Sequence, residues 1–140
     1  MPERPTSSTK PLLAKIGAKP GHRVLAYGNP PGVSLAAAGI ALETEPDGDF
    51  DVVLAFLPDR AALERDISML LAALKPGGLL WLAYPKKGKG LQTDISRDSG
   101  WDAVRSRGWE GVSLVAVDER WSAMRFRPRA EIRSLTRGKR

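Results

Sequence analysis

The sequence predicts one α/β domain of three layers, with a mostly parallel sheet that closes on an antiparallel hairpin strand. Three observations predict it. Apolar runs at 24–27, 50–57 and 79–84 have the near-continuous character of strands buried on both faces. Helical periodicity separates the last two: Leu63, Ile67, Leu70, Leu71 and Leu74 form one apolar stripe along 59–75. Finally, the runs 112–117 and 121–127 flank the turn Asp118-Glu119-Arg120, which reads as a terminal hairpin.

The elements follow in order. Residues 1–8 are polar and proline-containing, so a disordered amino-terminal segment is expected. A short helix follows, with Thr9 as N-cap, Pro11 in its first turn, Leu12, Leu13 and Ile16 on its apolar side and Gly17 at its close. Strand 24–27 runs into the turn 28–32, and the small apolar residues 33–38 suit a helix packed close to the sheet. Residues 40–45 alternate like an edge strand, yet Pro46-Asp47-Gly48 brings the chain at once to strand 50–57. A helical crossover needs about a dozen residues. The segment is therefore either a stunted edge strand with an extended return, the favoured reading, or half of an antiparallel pair. Asp59 caps the helix 59–75, Pro76-Gly77-Gly78 stops it, and a helix is expected over 98–106 with Trp101, Val104 and Ala103 inward and Gly108 at its close. Residues 9–128 thus make the domain, and 129–140 a basic tail, helical around 130–135.

Composition bounds the chemistry. The 140 residues suffice for a domain that buries about two-thirds of its unfolded surface. Without cysteine there is no disulfide, zinc-thiolate site or cysteine nucleophile, and one histidine cannot build a multi-histidine metal cluster. His22 precedes the first strand, at the edge of the sheet away from the crevice, so no Ser-His-Asp triad is expected. No apolar leader or membrane-length run is present, which points to a cytoplasmic protein. The net charge of +6 is unevenly placed: residues 125–140 hold seven Lys/Arg against one Glu, whereas 24–70 hold eight carboxylates against two arginines. Attraction to an anionic partner would rest on the tail or on one loop.

Strand, helix, edge strand, strand, helix, strand, helix and hairpin make a Rossmann-like plan. The local sequences VLAYGNPPG (24–32), FDVVLA (50–55) and LKPGGLLWL (74–82), with the closing hairpin, resemble a cut-down class I S-adenosylmethionine-dependent methyltransferase over about residues 12–127. The whole chain is also similar to a family of small bacterial proteins marked by YPKKGKGLQTDISRDSGW (84–101) and WSAMRFRP (121–128), a resemblance that implies no known activity. The methyltransferase resemblance implies a cofactor turn at Gly28, Asn29 and Gly32, with Glu43 or Glu45 as the ribose-binding acid. Glu45 is the favoured one of the two. Three departures argue against ordinary S-adenosylmethionine binding. Ala26 stands where the first strand should carry a carboxylate. Pro30 replaces the middle glycine, adding bulk and removing an N–H. One helix-plus-strand unit between Glu45 and Phe50 is missing.

Two loops face the crevice side of such a sheet. One is the turn 28–32, at a helix start that would favour an anion. The other is PKKGKG (85–90), whose Lys86, Lys87 and Lys89, with Thr93 and Arg97, form a candidate anion site. Its spacing is not that of a Walker A loop. Asp94, Asp98 and Tyr84 are the candidate acid/base groups for an enzyme, although Asp94, Arg97 and Asp98 equally suit helix capping and mutual pairing. Trp81 and Trp101 read as core. Arg125 and Arg127 share a strand face with Trp121 and Ala123, which solvent or nucleic acid could cover. The favoured reading is a non-catalytic binding or regulatory module holding an anionic small molecule or a protein partner. A divergent methyltransferase is the alternative, and a nucleic-acid-associated protein using the tail and lysine loop the second alternative.

Overall fold

One sheet holds six strands, β1 (Arg23–Tyr27), β2 (Ala41–Glu43), β3 (Phe50–Phe56), β4 (Leu74–Pro85), β5 (Trp109–Ala116) and β6 (Trp121–Pro128), in the order β2-β1-β3-β4-β6-β5. The computed structural model describes residues 12–30, 33, 35, 40–88 and 93–132. Strands β1, β2, β3 and β4 are parallel; β6 runs antiparallel to both β4 and β5. The expected mostly parallel sheet with an antiparallel terminal hairpin is therefore present. Expected residues 1–11, most of the helix 33–38, Gly32, Lys89 and the tail beyond Ile132 lie outside the described residues.

The parity of each strand sorts its side chains into two cores. Leu25, Val53, Leu80, Leu82 and Phe126 pack against α2 (Arg60–Ala73) and α3 (Asp102–Arg105). Val24, Ala26, Val52, Leu54, Trp81 and Ala123 face the other way, with Leu13 and Ile16 from α1 (Leu12–Lys15) and its end. The indole of Trp81 donates to the Ile16 carbonyl at 2.8 Å, which fixes α1 to the sheet and satisfies a buried donor. Trp101 is likewise core, edge-on to Tyr84 and donating to the Ser96 carbonyl. No helix among the described residues is long and apolar enough to cross a membrane.

The edge strand is stunted, as expected, and its return is held by one side chain. β2 pairs only with the first three residues of β1. Residues 44–49 must therefore come back about 10 Å along the sheet and cross two strand spacings, roughly 10 Å. Six residues reach about 20 Å, so no helix is needed. The path passes the amino end of β1, where the Arg23 guanidinium gathers it. Nε and Nη2 donate to the two Glu43 carboxylate oxygens, each at 2.7 Å, and Nη2 and Nη1 to the carbonyls of Asp47 and Asp49 at 3.1 and 3.4 Å. The guanidinium carbon also lies 4.4 Å from the centre of the Phe50 ring. Gly48 is required here: its φ is +116°, and a Cβ would sit 2.5 Å from Arg23 Nη1. The Arg23 amide donates to Asp51, whose other oxygen accepts from Lys75.

Several element boundaries differ from expectation. The helix predicted over 59–75 ends at Ala73, although Asp59 caps it as expected by accepting from the Ala62 amide. Leu74 is already extended and pairs with Phe50, so β4 begins before the Pro-Gly-Gly turn rather than at 79. The helix predicted over 98–106 shrinks to Asp102–Arg105. Gly100 has a φ of +95°, and Ser96 and Ser99 bond to each other through backbone and hydroxyls, so 96–100 is a locked turn. The hairpin also starts earlier, at Trp109, and carries a bulge between Gly111 and Ser113; Val112 and Leu114 are exposed on it. Past β6 the fold continues, because Arg129 donates from its amide to the Gly108 carbonyl and from Nε to Glu110.

The Arg23 guanidinium holds the Glu43 carboxyl below its ordinary pKa, and the Arg23 amide, then Lys75, does the same for Asp51. Both shifts are downward, so the stability they contribute is complete above the ordinary carboxylate range and is lost as pH falls through the depressed values. Thermal unfolding followed by circular dichroism should give a melting temperature that drops below about pH 4–5. Glu43→Gln should lower the neutral-pH value and flatten that drop; an unchanged acid slope would contradict the account.

Candidate functional site

The carboxyl edge of the parallel strands is where this architecture places its loops. β1 delivers Tyr27 and then Gly28, whose φ is +71° and whose Cβ, if present, would lie 3.0 Å from the Phe56 carbonyl oxygen. Only glycine lets the turn leave the sheet this close to β3. The turn then closes on itself: the Val33 amide donates to the Pro30 carbonyl and the Asn29 amide group to the Val33 carbonyl, both at 3.3 Å. β4 delivers Lys86 and Lys87 two strand positions away, roughly 10 Å across. Lys86 is held by its backbone, which donates to the Arg120 carbonyl at 2.7 Å, while the Lys87 side chain is exposed. Gly28, Asn29, Lys86 and Lys87 thus share one edge of the sheet, with β3 between them.

The remaining expected residues are placed as follows. Glu43 is bound to Arg23, so of the two ribose-acid candidates only Glu45 is exposed and without a described side-chain bond. Thr93 Oγ1 accepts from the Ile95 amide, which turns Ile95 into the core beneath. Asp94 accepts from the Arg60 amide at 2.8 Å. With Asp59 it therefore supplies carboxylate caps to two of the free N–H groups at the start of α2. Arg97 pairs with Asp98 at 3.5 Å, both largely exposed, beside a groove of about 410 Å³ between α3 and β5. The capping-and-pairing reading of Asp94, Arg97 and Asp98 is what the contacts display, although the capped helix is α2 and not the one that follows. Tyr84 is buried against Trp101. Among the described residues no group of three or more acidic or histidine side chains is arranged to hold a metal ion.

One constellation on this edge escaped the sequence reading. The Tyr27 hydroxyl donates to Asp66 Oδ2 at 3.2 Å, and Arg65 lies against the same carboxylate. Asp66 is only 7% exposed, on the face of α2 that otherwise carries Leu63, Ile67 and Leu70. A carboxylate one position before Ile67 in the apolar stripe was the available signal. Burial, then the Asp66 charge, raises the Tyr27 phenol above its ordinary pKa; burial also raises that of Tyr84.

The sheet order, the coverage of both faces by helices and the Gly28 turn define a Rossmann-like fold of the S-adenosylmethionine-dependent methyltransferase type. Among solved structures the chain is similar to ribosomal protein L11 methylase from Lactobacillus delbrueckii subsp. bulgaricus, at TM-score 0.55 and 15% identity over 83% of this chain and 74% of that one. It is also similar to the glycopeptide N-methyltransferase MtfA, at TM-score 0.51 and 12% identity over 81% and 86%. The match to the DhpI–SAH complex, at TM-score 0.46 and 16% identity, covers 65% of this chain but spans only 56% of that one. No protein-family model matches the chain, and neither does any curated protein sequence.

The chain has two tyrosines, and both phenols are raised, so an alkaline absorbance titration should show phenolate forming above the ordinary value of about 10. Asp66→Asn should bring the Tyr27 midpoint down while leaving that of Tyr84. The stability tied to these phenols is present below the ordinary value and lost as pH rises through the raised ones. A Tyr27 midpoint unmoved by Asp66→Asn would break the link.

Proposed function

We propose that the chain is a binding module on a methyltransferase-like scaffold, without methyl transfer of its own, and that its carboxyl-edge crevice takes an anionic small molecule or an anionic segment of a protein partner. The observation that carries this reading is the fate of Glu43. One of the two acids to which the resemblance gives ribose binding, Glu43 at the end of β2, is clasped in both oxygens by Arg23, which leaves Glu45 as the other. Two further features support it. Ala26, buried at 4% exposure, offers no carboxylate, and the Pro30 carbonyl is already engaged by Val33. The residues present thus do not fit S-adenosylmethionine held in the manner of the resemblance. Lys86 and Lys87 are the groups assigned to the anion, because both stand where β4 reaches this edge.

A divergent methyltransferase is the second reading. Gly28 keeps the turn tight against β3, and Glu45 is exposed.

Titration calorimetry with S-adenosylmethionine and S-adenosylhomocysteine at high micromolar concentration should give no binding heat. A thermal-shift panel of nucleotides and phosphorylated metabolites should raise the melting temperature with at least one anion, and Lys86→Ala with Lys87→Ala should abolish that rise. A ligand at a hundredfold excess over its Kd adds about 2.7 kcal/mol of stability, which such a shift resolves easily. S-adenosylmethionine binding that is lost in Glu45→Gln would overturn the first reading in favour of the second.

A further inference from the structure

Alternate residues of β6, namely Trp121, Ala123, Arg125 and Arg127, share the face of the sheet that α1 covers. Register fixes this: Ala123 pairs with Ala83 and Arg125 with Trp81, and both partners belong to the α1-side core. Trp121 and Ala123 are buried in that core. Arg125 and Arg127 stand further along the strand and are only half-buried. On its other side Arg125 pairs with Ser113 of β5, so these two side chains rise from the same face about 5 Å apart. Ser113 is exposed, and its hydroxyl makes no bond among the described residues.

The cations of this face differ in what holds them. Lys15, on α1, donates to the Ala116 carbonyl at 3.0 Å and keeps its charge. Arg127 reaches Glu131 at 3.4 Å, an exposed pair of the kind that contributes little. Glu110, opposite Arg127 on β5, is already held by Arg105 and Arg129. Arg125 has no ion pair and no side-chain hydrogen bond among the described residues, and its Nε is buried without a partner. Nε alone of its guanidinium nitrogens is buried in this way, so Nη1 and Nη2 face solvent. A buried cationic donor left unsatisfied is costly and calls for a role. Beyond residue 132 the sequence adds Arg133, Arg137, Lys139 and Arg140 and no carboxylate.

We infer that this face binds the phosphate backbone of a nucleic-acid strand, with Arg125 as its fixed contact. The Nη1–Nη2 edge of the fork takes two oxygens of one phosphate, and the Ser113 hydroxyl donates to the same group. Strand pairing on both sides fixes the stem of Arg125, so little freedom is lost when the phosphate arrives. Arg127 lies about 7 Å further along the strand and exchanges Glu131 for a neighbouring phosphate. A row of cations on a flat ladder suits an extended, repeatedly charged ligand, because each contact is weak and several together are not. Trp81 and Trp121, the aromatic residues of this face, are buried, so bases have nothing to stack on and the backbone alone is held. None of the groups assigned to the carboxyl-edge crevice takes part, and the two readings stand or fall separately.

The test titrates the full chain with fluorescein-labelled oligothymidine, followed by anisotropy across a salt series. The logarithm of affinity should fall linearly with the logarithm of salt concentration. Arg125→Met should weaken binding about 3- to 10-fold and make that slope shallower by about 0.7, the share of one phosphate contact on a single strand; Arg125→Lys should restore part of the affinity. Oligocytidine should bind within about twofold of oligothymidine, because phosphate contacts carry no base information. In proton–nitrogen spectra oligothymidine should shift the Arg125 Nε–H and leave the Gly28 amide in place, whereas inorganic phosphate at the same phosphate concentration should move neither. Arg125 serves no partner within the fold, so Arg125→Met should melt no lower than the unsubstituted protein. The inference is overturned by affinity that ignores salt, by an Arg125→Met protein with unchanged affinity and slope, or by an Nε–H that answers inorganic phosphate as readily as the oligonucleotide. A lower melting temperature for Arg125→Met would also overturn it, by giving Arg125 a role in the fold.

Discussion

The clasp of Arg23 on Glu43 and on the 44–49 return makes the rest of the architecture possible. A parallel sheet joins neighbouring strands by crossovers, and here one crossover is a six-residue loop with no helix to pack it. Without a helix, the loop has little apolar surface to hold it in place. The guanidinium substitutes hydrogen bonds for that packing: two carbonyls, one carboxylate and the Phe50 ring are fixed by one planar group. The pair is partly solvated, so its Coulomb energy is modest. Its contribution lies in geometry, because the fork accepts only one arrangement of the loop.

The same clasp connects fold to site. The resemblance gives a ligand one of two acids, Glu43 or Glu45, and in this chain Glu43 serves the scaffold. With both carboxylate oxygens holding the return, Glu43 is not free to take a ligand. Asp59 and Asp94 are likewise committed to the start of α2, and Asn29 and Pro30 to their own turn. Polar groups that could recognise a ligand are thus largely consumed in making the loops self-sufficient. Lys86, Lys87 and Glu45 remain exposed or free of described side-chain bonds on this edge.

Local sequence made much of this legible. The stripe Leu63, Ile67, Leu70 needs only helical spacing to be read, and α2 is there with Asp59 as its cap. The continuous run 50–57 identifies a central strand, and the short Pro46-Asp47-Gly48 link already favours a stunted edge. Misreadings arose where tertiary partners decide. Leu74 fits the helical stripe but is drawn extended by Phe50. Residues 98–101 look helical until the Ser96–Ser99 pair and Gly100 are seen to lock a turn. The Tyr27–Asp66 contact joins residues 39 apart, and Arg125 is distinguished only by what does not touch it. No periodicity carries such information, because it depends on which strands lie side by side.

The bulge in β5 has a bearing on how the molecule behaves among its own copies. An eight-residue outer strand with Val112 and Leu114 uncovered is the kind of margin along which β-proteins zip into larger sheets. The extra residue between Gly111 and Ser113 throws that margin out of step halfway along, leaving no straight run long enough to recruit a second chain. Strand self-association is thereby discouraged at the one long flank, just as brevity discourages it at β2.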